Sequence, residues 1–152
     1  MTKQSGVEFL IGTADGEHLR VEILGRENPN ATDRDDGNWL RAMVHIASGP
    51  WKGSYSANLR SEEFVPLRIQ LQRLYDDVTA NLARFESMEP WLRFTVERSD
   101  RLGHVLVKGE ARREPFFEQH NLLQFTLELD QSYLPVAVEG LAAVIEAFPV
   151  VG

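Results

Sequence analysis

Trp39-Leu40-Arg41-Ala42-Met43-Val44-His45-Ile46-Ala47, then Ser48-Gly49-Pro50, then Trp51-Lys52-Gly53-Ser54-Tyr55-Ser56-Ala57-Asn58-Leu59-Arg60 is the stretch on which the fold turns. In the first run Leu40, Ala42, Val44 and Ile46 alternate with Trp39, Arg41, Met43 and His45. In the second, Trp51, Gly53, Tyr55, Ala57 and Leu59 alternate with polar residues. A period of two is the signature of a half-buried strand. Two such runs around a short Gly-Pro turn predict an antiparallel hairpin. Gly53 inside a strand predicts a bulge or a close backbone approach beneath a tryptophan ring.

The same period recurs on both sides. Upstream, Leu19–Leu24 alternates and Val7–Ile11, a short apolar run between Gly6 and Gly12, also reads as a strand, with Asp15-Gly16 as the turn between them. Downstream, strands are predicted at 82–86, Trp91–Glu97, 105–111 and Leu123–Leu129, and Glu114–His120 reads as a loop. Two stretches change to a helical period. Leu67, Leu71, Leu74, Tyr75 and Val78 form one stripe behind Ser61-Glu62-Glu63, with Pro66 in the first turn. Leu134, Val138, Leu141, Ala142, Ile145 and Phe148 form another, with Ser132 as N-cap and Pro149 as terminator. Trp39-Leu40-Arg41 recurs as Trp91-Leu92-Arg93. The expected architecture is a single α+β domain over residues 1–152. It has a mainly antiparallel sheet of about eight strands, two amphipathic helices on one face, and a duplicated strands-then-helix order. The other sheet face would carry Arg41, His45, Lys52, Asn58 and Arg93.

Composition narrows the function classes. The chain has 152 residues, 43% hydrophobic and 26% charged, as expected for a globular protein with one core. No apolar run approaches the about 18 residues of a membrane span. Met1–Gly6 lacks the apolar centre of a signal peptide. There is no cysteine, which excludes disulfides and thiolate chemistry and fits a cytoplasmic setting. The net charge of −7, from 23 acids against 16 bases, argues against nucleic acid and favours solubility or a basic partner.

The candidate chemistry is sparse. Asp33, Asp35 and Asp36 gather in one turn, with Gly37-Asn38 behind them. An EF-hand needs glycine at its sixth place and glutamate at its twelfth. Counted from Asp33, glycine falls fifth and Val44 twelfth, so that motif fails. What remains is a solvated turn or a partner-binding surface. His18, His45, His104 and His120 have no metal-ligand spacing, and His45 with His104 is the pair best placed to meet. Glu97, Glu110 and Glu128 share the open sheet face in this reading. Neither a phosphate loop nor a nucleophile elbow is present. No catalytic residue, metal or cofactor is expected. A pocket on the open face would favour a small-molecule binder or enzyme instead, and an exposed strand edge would allow a homodimer. An exposed cluster of Trp39, Trp51 and Trp91 would mark a partner patch.

Several motifs together resemble the small bacterial WapI-type family. They are Asp36-Gly37-Asn38-Trp39-Leu40, Trp51-x-Gly53, Trp91-Leu92 with Gly103-His104, Asn121-Leu122 with Phe125, Asp130-Gln131-x-Tyr133-Leu134, and Phe148-Pro149-Val150-x-Gly152. Ser132 stands where the family pattern leads one to expect threonine. The resemblance implies an immunity-type role, in which a cytoplasmic protein neutralises a cognate toxin. It carries over no catalytic residue.

Overall fold

Eight strands and three helices follow one another in the computed structural model, which describes residues 6–117 and 121–152. The strands are β1 (Val7–Gly12), β2 (His18–Arg26), β3 (Trp39–Ser48), β4 (Trp51–Arg60), β5 (Leu82–Glu86), β6 (Leu92–Arg98), β7 (His104–Arg112) and β8 (Leu122–Asp130). The helices are α1 (Arg34–Gly37), α2 (Phe64–Asp76) and α3 (Leu134–Ala147). His120 and the first five residues, where the signal-peptide reading falls, lie outside the described residues.

The expected eight antiparallel strands are present, divided into two sheets of four, β1-β2-β3-β4 and β5-β6-β7-β8. The strand period fixes which side chains share a face, but not which strands are neighbours. Here α2 follows β4 directly, so the chain leaves the first sheet before β5 begins. α3 packs on β1, α2 packs on β5, and the two helices pack on each other. Each sheet is therefore a meander closed by a short 3-10 turn and a helix. The duplication holds at this level. Trp39-Leu40-Arg41 opens the third strand of its sheet and Trp91-Leu92-Arg93 the second, so the tripeptides are not equivalent positions.

The alternation sorts the strands as expected. Leu40, Ala42, Val44 and Ile46 are buried, as are Leu92, Phe94 and Val96. A chain of rings joins the halves: Phe9 on β1 meets Phe64 on α2 at 6.0 Å, Phe64 meets Phe85 on β5 at 5.9 Å, and Phe85 meets Phe94 at 5.2 Å. Phe64, the first residue of α2, lies outside the stripe read from sequence but is fully buried.

Several local expectations change. α2 ends at Asp76, which leaves Val78 beyond it and exposed, and Tyr75, although within the helix, is exposed as well. The 3-10 turn before α3 is capped by the Asp130 carboxylate, which accepts the Ser132 N–H at 2.8 Å; Ser132 is not the cap. Gly53 neither bulges nor approaches another group, since nothing lies within 4 Å of where its Cβ would be. The register shift is on β2, between Ile23 and Gly25. The close approach is at Gly109, where a Cβ would lie 2.4 Å from the Phe125 ring opposite it.

Candidate functional site

The acidic stretch is one turn of helix, not the open turn its glycine suggests. Asp33 is extended and its carboxylate accepts the Asp36 N–H at 3.1 Å, which caps α1. A helix this short leaves its terminal carbonyls without partners of their own. Four side chains from elsewhere supply them. Arg60 donates to the carbonyls of Arg34 (2.6 Å) and Asp35 (2.9 Å). Asn28 reaches the Asp36 carbonyl at 3.2 Å and Arg26 the Gly37 carbonyl at 2.7 Å. Asn38 also donates to the Arg34 carbonyl, at 3.0 Å. Cationic donors at this end complement the negative pole of the turn.

Asn38 and Gly37 have different roles from those their backbone chemistry predicts. Asn38 has ordinary right-handed geometry and acts through its amide. It donates to the Val151 carbonyl at 3.0 Å and accepts the Val151 N–H at 2.9 Å, a two-point grip on the C-terminal strap. Arg26 adds a 2.6 Å bond to the Pro149 carbonyl and lies over the Phe148 ring. Gly37 is needed for space, because a Cβ there would meet the Val151 side chain at 2.5 Å. The Asp36-Gly37-Asn38 and Phe148–Gly152 motifs, at opposite ends of the sequence, thus meet in space.

Arg60 is 3% exposed and completes the cluster. It stacks on the Trp39 ring at 4.8 Å and pairs with Glu62 at 2.5 Å. Beside it Glu63 accepts the N–H groups of Arg60 (2.7 Å) and Met88 (2.5 Å), which links α2 to the β5–β6 connection. Burial pushes the Glu63 carboxyl up to about 7, against the lowering effect of those two N–H groups. Sequence reading missed Arg26, Arg60 and Glu63. Arg60 had one available signal: it is an arginine immediately after the buried end of an alternating strand.

The result is a fixed acidic display. Asp33, Asp35 and Asp36 are exposed, and among the described residues the carboxylates of Asp35 and Asp36 have no hydrogen-bond or ion-pair partner. Their backbone, in contrast, is held at nearly every carbonyl.

The other candidates stay apart. His45, on β3, is bonded to Ser54 (2.7 Å) and Glu22 (3.3 Å). His104, on β7, is bonded to Asp100 at 2.6 Å, and this hydrogen bond raises the imidazole pKa while lowering that of the carboxyl. The two histidines belong to different sheets and different clusters, and His18 binds the Thr13 carbonyl at 2.9 Å. No group of metal-binding side chains forms among the described residues. Glu97 pairs with Lys108 at 3.1 Å, and Glu110 receives Gln124 at 3.4 Å. The outer face of the second sheet holds a shallow concavity of about 510 Å³, lined by Arg84, Arg93, Thr95, Lys108, Glu110 and Gln124 among others. The tryptophans form no common patch: Trp39 stacks on Arg60, Trp91 packs on the core, and Trp51 is 69% exposed. No described helix is long and apolar enough to cross a membrane.

A family model described as the Immunity protein WapI-like family matches residues 9–149. No curated protein matches the sequence. Among solved structures, one described as Trypanosoma bruciei MRP1/MRP2 is similar with a TM-score of 0.49 and 12% identity, over 94% of this chain and 84% of that one.

Proposed function

The chain belongs to the Immunity protein WapI-like family, and on that premise we propose that it is a non-enzymatic, cytoplasmic protein that neutralises one cognate toxin by binding it. The family match carries this reading. The acidic turn is proposed as part of the contact, through Asp33, Asp35 and Asp36. A stoichiometric blocker needs a surface that loses little freedom when it binds. A backbone pinned by Arg26, Arg60, Asn28 and Asn38 meets that need. Carboxylates on such a turn, within a molecule of net charge −7, would steer and orient a basic toxin surface.

The test has two stages. Co-expression with toxin domains encoded beside this chain, read as growth, tests the toxin reading; protection by none of them would refute it. The triple variant Asp33→Asn, Asp35→Asn, Asp36→Asn then tests the surface. Asparagine still caps a helix, so folding is kept. Association with the toxin should slow about tenfold at low salt and lose most of its salt dependence. An unchanged rate would move the contact elsewhere.

A second reading, a small molecule or reaction on the open sheet face, is favoured by the 510 Å³ concavity. Some of its charges are already paired, Arg93 with Glu86 at 3.6 Å for example. Ligand-induced NMR shifts confined to Arg84, Thr95 and Lys108 would support it.

A further inference from the structure

We infer that the free edge of β4, from Trp51 to Tyr55, is a self-association surface on which two copies pair antiparallel about a twofold axis at Gly53. Each four-stranded sheet has two edges, and three of the four are engaged. α3 lies so close to β1 that a Cβ on Gly140 would meet the Glu8 carbonyl at 2.6 Å. On β5, the Arg84 N–H is taken by Gln70 of α2 at 2.8 Å. On β8, the Thr126 carbonyl accepts the Ser48 hydroxyl at 2.7 Å. Among the described residues, no hydrogen bond engages the backbone of residues 51–56 except those to β3.

Soluble proteins blunt such edges with proline, bulges, charges or short strands. β4 runs ten residues in unbroken register with β3, contains no proline, and carries one charge, Lys52, between Trp51 and Asn58. Residues 51–54 are exposed, whereas Tyr55 is half-buried, packed against the core with its hydroxyl donating to the Trp91 carbonyl at 2.7 Å. The hairpin tip is held in place by Glu17, which accepts the Gly49 N–H at 2.6 Å.

The side chains choose the occupant and the register. Trp51 and Tyr55 flank Gly53 on one face, and nothing lies within 4 Å of a Cβ at Gly53. A copy paired about Gly53 sets each Trp51 opposite the other copy's Tyr55, so the two indoles cover the bare glycines. Lys52 then faces Ser54, and no like charges meet. The acidic turn lies at the far end of the hairpin, where Trp39 pairs with Arg60, about 23 Å along the strand from Gly53. Repulsion between the two acidic molecules is therefore kept away from the axis. Pairing of five residues a side buries less than the about 1,200 Å² of a stable complex, so the dimer is weak.

Sedimentation equilibrium from about 10 µM to about 1 mM suits a contact of this size. The mass should rise from monomer toward dimer, and Trp51→Ala should weaken the association about tenfold or more. Gly53→Glu and Gly53→Lys each place like charges on the axis. Both should be folded by circular dichroism and monomeric alone, and an equal mixture should dimerise again. A monomer throughout for the parent chain, a dimer for either variant alone, or a mixture that stays monomeric would each overturn the proposal.

Discussion

Replacing Asn38 with alanine should unfasten the C-terminal strap from the acidic turn. Asn38 is fully buried and makes three hydrogen bonds: to the Arg34 carbonyl, to the Val151 carbonyl and from the Val151 N–H. Each such bond contributes about 1 kcal/mol net. Their former partners are not equally vulnerable. Arg34 is exposed and Val151 half-buried, so water can reach their backbone groups once the strap lifts. That holds the loss to the sum of the bonds, about 3 kcal/mol, without a further desolvation penalty. For a chain of this length the melting temperature should fall about 6–12 °C. Asn38→Asp should be worse at pH 7, since a buried carboxylate would face two carbonyl oxygens. Hydrogen exchange is the deciding assay. In Asn38→Ala, protection should be lost first at Val151 and at Gly37, whose N–H bonds the Asp33 carbonyl, while β6 and β7 keep theirs. A loss below about 1 kcal/mol, or exchange raised evenly throughout the chain, would refute the idea that the Asn38 amide is a principal tie between the two segments beside Arg26.

Two further outcomes follow from the same region. Glu63 has its carboxyl pKa raised from 4.5 to about 7 by burial, so the folded state favours the protonated form. The stabilising contribution of that preference is complete below the unfolded value and is lost as pH rises through 7. Denaturant titrations should show stability declining between pH 5 and 8 by up to about 3 kcal/mol, and Glu63→Gln should flatten that decline; an unchanged slope would exclude Glu63 as its source. Phe64→Ala should cost about 3–5 kcal/mol by urea unfolding, because it opens a cavity in the ring chain between Phe9 and Phe85; a loss near 1 kcal/mol would mean the halves are joined by other contacts.

The sequence by itself determined the local chemistry. Alternation named six of the eight strands and most of their buried faces, because a pleated strand points successive side chains to opposite sides whatever its neighbours are. Val7–Ile11 reads as a strand from its apolar run, and Trp51 and Gly53, on the side of Ala57 and Leu59, are exposed. The two helical stripes were legible for the same reason, at Leu67, Leu71 and Leu74 and again at Leu134, Val138 and Leu141. The motifs around Asn38 and Phe148–Gly152 pointed to the family, and the family model bears that out. Tertiary structure decided whatever depended on contact between distant residues. Periodicity carries no information about which edges pair, so the division into two sheets emerged only once α2 and α3 were packed. Asn38 looked like a turn residue because its partner, Val151, lies 113 positions away. Arg60 read as the last polar residue of a strand, although it is buried under Trp39 and holds the acidic turn by two carbonyls. The carboxylates of Asp33, Asp35 and Asp36 were visible from the start. That their backbone is clamped from four sides is a property of the fold, because the donors come from residues 26, 28, 38 and 60.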